Sequence, residues 1–358
     1  MKDKISKSKL KKIAAFDPSG IGLLESNIFG LPFNTEEAEV VVVPVPWEVT
    51  VSYRGGTAKG PQAIFDASKQ VDLYDQNIKD AWKLGISMEP ISKNLVRKNA
   101  VLRKKAEACI AHLERGGNSN DPKLKKLYRE VNEGCEEMND YVESTCTKFL
   151  EMGKSVVVLG GEHSVPLGYM KALSKIYDKF SVLHIDAHAD LRETYEGFEF
   201  SHASIQFNAT KIKNIDRFVL LGIRDYCQEE ADRIANSKGR IVNFTDAYLK
   251  RGSYDGVTWK KQCKNIVSKL SKNVYVSYDI DSLNPYLCPH TGTPVPGGLE
   301  FEQGFYLIEE IIKSGRKIIG FDLCEVSFST RDEWDAIIGA RILYRLSNLM
   351  SKSQGKFS

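Results

Sequence analysis

No apolar stretch in this chain reaches the ~20 residues that a helical membrane span requires, so a helical membrane protein is excluded. Lysines stand at positions 2, 4, 7, 9, 11 and 12, but no apolar segment follows them. No secretory signal is therefore visible, a cytoplasmic location is expected, and the lysine run reads as a solvated, frayed terminus. The seven cysteines (109, 135, 146, 227, 263, 288, 324) are scattered, odd in number and never spaced C-x-x-C. That excludes a disulfide framework and leaves reduced thiols that act as small buried hydrophobes. A net charge of +3 is too small to point to nucleic acid or an acidic surface as partner. Histidine is scarce at six residues, yet four of them fall between 163 and 202. Packing alone gives no reason for that clustering.

What is present is length and alternation. At 358 residues the chain can bury a sizeable core. Short apolar runs at Val40–Val45, Ser155–Leu159, Ser181–Ile185, Phe218–Gly222, Ile241–Phe244, Val274–Tyr278 and Ile318–Leu323 read as buried parallel strands. Amphipathic stretches at Leu167–Tyr177, Glu229–Ala235, Trp259–Leu270, Glu302–Lys313 and Ala336–Met350 read as helices between them. The alternation predicts an open parallel sheet with helices on both faces. Residues 99–152 are helical in pattern and broken at Gly116–Pro122, which predicts two helices. The organisation expected is an N-terminal extension (1–30), one domain (31–350) carrying that helical insertion, and a polar, frayed tail (351–358).

The chemistry sits where apolar runs end, which in open α/β sheets is where ligands collect. Val182–Ile185 runs into Asp186-Ala187-His188-Ala189-Asp190. Residues two apart on an extended chain face the same way, so the two carboxylates and the imidazole can converge. Packed so closely, they repel unless a cation lies among them. A second cluster, Asp279-Ile280-Asp281, ends another apolar run, and Gly160-Gly161-Glu162-His163-Ser164 ends a third. His163, Asp186, His188, Asp190, Asp279 and Asp281 form an oxygen-rich, thiolate-free set suited to two divalent ions. Mn(II) comes first, with Ni(II), Co(II) and Fe(II) as further candidates and Zn(II) less favoured. Two ions roughly 3.5–4 Å apart can share a water and lower its pKa.

GGEHS, HIDAHADLR and SYDIDSLNPYLCPHTGTPVPGGL resemble the three signatures of the ureohydrolases, the family of arginase, agmatinase and formiminoglutamase, and the likeness runs from about Val40 to Leu346. The resemblance implies an arginase-type three-layer α/β/α sandwich with a mostly parallel sheet, a dimanganese centre, a small guanidino substrate and a trimeric or hexameric homo-oligomer. It implies one ion on His163, Asp186, Asp190 and Asp279 and the other on His188, Asp186, Asp279 and Asp281. Phe200–Ser204 is similar to a family loop whose histidine moves a proton to the leaving amine, here His202, with Ala203 in place of the usual glycine. Gly320–Val326 is similar to the strand whose glutamate, here Glu325, faces the guanidinium through paired hydrogen bonds. Asp190 would orient the attacking hydroxide. Arg224 matches a further family position and reads as structural, pairing with a nearby carboxylate. Glu162 replaces the usual aspartate before the first ligand, and Thr50 and Tyr53 stand in the glycine loop on the substrate side.

Arg192–Phe200 lacks the Ser-Gly-Asn clamp with which arginases grip the amino-acid end of arginine, so arginine is disfavoured. Glu193, Glu196 and Glu199 would suit a cationic tail, which gives agmatine a slight edge. Trp334, placed to wall the pocket and shorten it, makes guanidine the rival, and formiminoglutamate, with Arg192 as its basic partner, is a third. A zinc deacetylase-type hydrolase is disfavoured because no two histidines are adjacent. A metal-free paralogue is disfavoured because all six ligands are present.

Overall fold

The computed structural model describes residues 6–23, 25–119 and 121–357. Eight strands build one sheet: β1 (Val40–Pro44), β2 (Ile86–Met88), β3 (Ser155–Leu159), β4 (Phe180–Ile185), β5 (Ile215–Leu221), β6 (Ile241–Phe244), β7 (Asn273–Asp279) and β8 (Lys317–Cys324). They lie in the order β2-β1-β3-β8-β7-β4-β5-β6, and every neighbouring pair is parallel. Parallel neighbours need crossovers, which the helices supply. They are α1 (Lys7–Ala15), α2 (Gly60–Ser68), α3 (Lys93–Glu114), α4 (Lys125–Glu151), α5 (Leu167–Ser174), α6 (Ile205–Thr210), α7 (Gln228–Asn236), α8 (Asp246–Tyr254), α9 (Trp259–Ser268), α10 (Phe301–Lys313) and α11 (Trp334–Ser353).

Alternation along each strand sends side chains to opposite faces. Val40, Val42, Val157, Leu183 and Val276 meet α2 and α8–α11, while Val41, Val43, Val156, Val182 and Tyr275 meet α3–α6. The result is the α/β/α sandwich expected, with a wholly parallel sheet. The chain steps outward from β1 to β2 and later from β4 to β6, each time returning towards the middle. The carboxyl ends of β3, β8, β7 and β4 therefore gather at the centre, and each carries one of the motifs.

The helical insertion forms a hairpin, and α4 packs against α3 and α5. Glycines permit both close approaches. A Cβ at Gly134 would lie 2.3 Å from Leu102 Cδ1, and one at Gly168 would lie 2.2 Å from the Asn139 carbonyl oxygen.

Several elements differ from the expectation. β2 has only three residues, Ile-Ser-Met, too few to display a period, and its strand character comes from pairing with β1. β5 begins at Ile215, before the apolar run, because Asp216 and Arg217 sit on it at half-buried positions. α1, α2, α6 and α8 were not legible as helices. The lysine run is not frayed where it is described. Ser6 caps α1, and buried Lys9 donates to the Leu84 carbonyl at 2.6 Å; Lys2 and Lys4 lie outside the described residues. Nor is the tail frayed. Ser351 is buried, α11 runs to Ser353, and the Lys356 ammonium reaches Glu39 at 3.4 Å; Ser358 lies outside the described residues.

Candidate active site

β3 ends in a turn that only glycine can make. A Cβ on Gly161 would fall 2.0 Å from the Trp47 carbonyl oxygen. The turn delivers His163, 1% exposed, to the centre of the sheet's carboxyl edge. Its Nδ1 lies 2.9 Å from Asp186 Oδ2, 3.0 Å from Asp279 Oδ2 and 3.5 Å from Asp190 Oδ2. Its Nε2 is backed by Ser277 Oγ at 2.8 Å and Asp322 at 3.4 Å, and the Tyr275 hydroxyl donates to Asp322 at 2.6 Å. Such backing fixes the face a histidine offers to a ligand. His188 Nδ1 lies 3.0 Å from Asp281 Oδ2 and 3.5 Å from Asp186 Oδ1. Two donor nests result, one around each histidine, and Asp186 faces both.

The donor set fits divalent cations. Asp186, Asp190, Asp279 and Asp281 are all buried, and among the described residues no Lys or Arg forms an ion pair with any of them. Burial and the neighbouring Asp186 push Asp190 well up; burial, Asp281 and Asp186 do the same to Asp279. Burial opposes charge on His163 and His188, yet the carboxylates around them hold both imidazoles well above their usual value. Protons thus take the place that cations would fill, since buried carboxylates cannot all ionise unpaired. Asp190 (φ 53°) and Glu325 (φ 62°) adopt left-handed backbone that non-glycine residues avoid, the kind of strain that gathers at functional sites.

Above this floor opens a cleft of about 480 Å³. His163, His188, Asp190, Asp279, Asp281, His202 and Glu325 all line it. Glu325 Oε1 accepts from the His163 backbone N–H at 2.7 Å, and burial, then the charge of Glu162, pushes its carboxyl up to about 8. Burial, then the charge of His188, pulls the His202 imidazole down to about 3, so it is neutral at ordinary pH.

Other expected residues lie elsewhere. Trp334 does not line the cleft; it opens α11, 42% exposed, and its Nε1 donates to the Tyr286 carbonyl at 3.0 Å. Thr50 is fully buried beneath His202 rather than on the cleft wall. Glu193, Glu196 and Glu199 also miss the cleft. Glu193 points to Arg233, and the Glu199 N–H is held by Asn132. Exposed Asp225 and buried Glu230 also line the cleft, with Arg54, Arg192 and Tyr195 beside them. Both Glu230 oxygens already accept backbone N–H groups, from Leu191 and Cys227. Among the described residues Arg224 pairs with no carboxylate; it donates to the carbonyls of Asp281, Leu283 and Val295 at 2.7, 3.2 and 2.9 Å, bracing the turn after β7.

Two residues went unassigned in the sequence. His184 stacks on His163 with ring centroids 5.2 Å apart, accepts from Gln206 and donates to the His188 carbonyl at 3.1 Å, and burial pulls it down to about 4. Its place two residues before Asp186 was the available signal. The other is Glu162, fully buried behind His163.

A family model described as the arginase family matches residues 38–347. The N(1)-aminopropylagmatine ureohydrolase of Synechocystis sp. is 29% identical over 325 residues, covering 89% of this chain and 92% of that protein. Its namesake from Thermus thermophilus is 30% identical over 292 residues, covering 82% of this chain and 84% of that protein. Among solved structures, the agmatine ureohydrolase of Thermoplasma volcanium superposes with a TM-score of 0.70 at 24% identity, covering 98% of this chain and 100% of that one.

Proposed function

Because this chain belongs to the arginase family of binuclear metal hydrolases acting on guanidino C–N bonds, we propose that it cleaves an alkyl-guanidine with a distal ammonium, agmatine first, into urea and an amine. The observation that carries this reading is the juxtaposition, in one cleft, of two cation nests, a carboxylate on the wall and, on the same cleft, Asp225, whose carboxylate forms no ion pair among the described residues.

His163, Asp186, Asp190 and Asp279 would hold one ion, and His188, Asp186, Asp279 and Asp281 the other. The oxygen-rich donors favour Mn(II). Such a pair, when bound, supplies a water of lowered pKa and Lewis acidity. Glu325 would receive the planar guanidinium through its free oxygen and fix its carbon over the nests. Asp190 would orient the attacking oxygen and take its proton. His202, neutral and open to the cleft, would carry a proton to the departing nitrogen. Asp225 would hold the distal ammonium: its backbone N–H is tied to the Ala187 carbonyl at 3.1 Å, and its carboxylate forms no ion pair among the described residues.

The names of the relatives favour a cationic tail, and N(1)-aminopropylagmatine is the second substrate to test. Guanidine loses the feature that favoured it, since Trp334 does not line the cleft. Urea release by Mn(II)-loaded enzyme should be fastest with agmatine or N(1)-aminopropylagmatine and slow with guanidine and arginine. Guanidine turned over faster than both amines would overturn the reading.

A further inference from the structure

We propose that Glu162 is a positioning residue that acts through Thr50 to set the tautomer and orientation of the His202 imidazole. The inference rests on the reading of His202 as the proton carrier.

Glu162 is 0% exposed and forms no ion pair among the described residues. A buried carboxylate without a counter-ion is costly, so its hydrogen bonds carry its reason for being there. Three donors converge on it, the pattern of an ionised acceptor. The Thr50 backbone N–H donates to Oε2 at 2.8 Å, and the hydroxyls of Thr50 and Ser164 donate to Oε1 at 2.9 and 2.6 Å.

A threonine hydroxyl has one proton. Because Thr50 gives that proton to Glu162, its oxygen can only accept from His202. It does accept: the His202 backbone N–H reaches it at 3.1 Å, and His202 Nδ1 lies 3.4 Å away. Ser201 Oγ stands 3.3 Å from the same Nδ1. The Thr50 contact favours the tautomer with hydrogen on Nδ1, for which Ser201 Oγ is a second acceptor, and that tautomer leaves the Nε2 lone pair free. Nε2 has no hydrogen-bond partner among the described residues, and the ring lines the cleft with the Tyr195 ring edge-on at 5.9 Å. A neutral imidazole whose Nε2 is unprotonated can take a proton there and pass it to the leaving nitrogen. The opposite tautomer cannot take it.

The extra methylene of glutamate matters. It carries the carboxylate from the strand turn across to residue 50, 112 positions away in sequence, while the next residue, His163, faces the carboxylates of the first nest.

Variants of the Mn(II)-loaded enzyme, alone and in a His202→Ala background, test this with agmatine. Glu162→Gln offers Thr50 an amide that can donate, releasing the hydroxyl proton towards Nδ1. Thr50→Val removes the hydroxyl at constant volume. Each should lower kcat about 10–100-fold with KM and bound metal unchanged, and Thr50→Ser should restore most of the rate. The double variant Glu162→Gln/Thr50→Val should lose no more than Thr50→Val alone. In a His202→Ala background neither substitution should cost anything further. An undiminished effect of Glu162→Gln in that background, or an unchanged kcat in both single variants, overturns the inference. A wild-type rate in His202→Ala itself overturns instead the reading of His202 as the proton carrier.

Discussion

Each oxygen of Asp186 has its own duty, Oδ2 beside His163 and Oδ1 beside His188, so one side chain links both nests. His188's backbone N–H also donates to Oδ1 at 2.6 Å, which fixes the carboxylate plane. Converting Asp186 to Asn keeps the shape but removes a charge from both nests. Bound metal, counted by elemental analysis after dialysis, should fall from about two per chain to below one, with activity lost in parallel. Two tightly held ions in Asp186→Asn would remove this residue from the bridging role. The same chemistry predicts proton release on loading. His163 and His188 hold protons well above their usual range in the metal-free chain, and a ligating imidazole must be neutral. Calorimetry in buffers of different ionisation enthalpy should therefore show net protons leaving at neutral pH, and apparent affinity rising with pH. A buffer-independent heat would contradict the donor assignment. At this scale the six candidate donors were legible because each cluster is contiguous in sequence. Thr50 and Glu162 were not read together because no local pattern records a contact across the fold.

The α3–α4 hairpin grips both loops that flank His202. From α3, Asn99 accepts from the Glu48 N–H at 2.7 Å, and the Arg103 guanidinium donates to the carbonyls of Val49 and Val51. From α4, Asn132 accepts from the Glu199 N–H at 3.0 Å, and Tyr128 packs on fully buried Phe198 with ring centroids 5.5 Å apart. Between them Glu196 (φ 52°) and Gly197 (φ 84°) form a tight turn whose strain this anchoring has to hold. Phe198→Ala should cost about 3–5 kcal/mol of stability, seen as a lower urea midpoint. It should also lower kcat more than metal content, because the anchor holds the His202 loop and not the nests. Loss of metal with kcat per bound ion preserved would place the loop's role elsewhere. The hairpin itself was visible as two helical stretches about a glycine-rich break. Its attachment to loops 48–51 and 195–199 was not, since side-chain caps on distant carbonyls leave no periodic trace.

For the whole molecule, the centre couples stability to cations and to pH. Four buried carboxylates draw together only at a repulsive cost. Chelation should therefore lower the melting temperature, and metal a thousandfold above its Kd should return about 4 kcal/mol. The histidines contribute to the pH response in two opposite senses. His184 and His202 have lowered folded values, about 4 and about 3. The unfolded chain takes up protons at these two below ~6.5 while the folded chain does not, so their stabilisation is lost as pH falls. His163 and His188 act in the opposite sense without metal. Their raised values stabilise the fold below ~6.5 and lose that effect as pH rises through them. Metal abolishes the second pair's contribution by displacing their protons. Urea unfolding over about pH 5 to 8 should thus show the stability maximum at higher pH in the loaded protein than in the metal-free one. Coincident maxima would show that the two sets do not act separately.

The sequence by itself determined the parallel α/β class, because strand and helix periods are local properties of residues in order, and seven of the eight strands could be placed from apolar runs. It also placed the six candidate metal donors, because each cluster closes a strand and needs only its own spacing. Tertiary structure decided everything that depends on convergence. The order of the strands puts the ends of β3, β8, β7 and β4 side by side, and no stretch of residues encodes that adjacency alone. It moved Trp334 and the three glutamates of the loop out of the cleft and set Asp225 along it. Distance along the chain had stood in for distance in space. The segment between Glu325 and Trp334 leads away from the cleft to α11, so closeness in sequence does not become a shared wall.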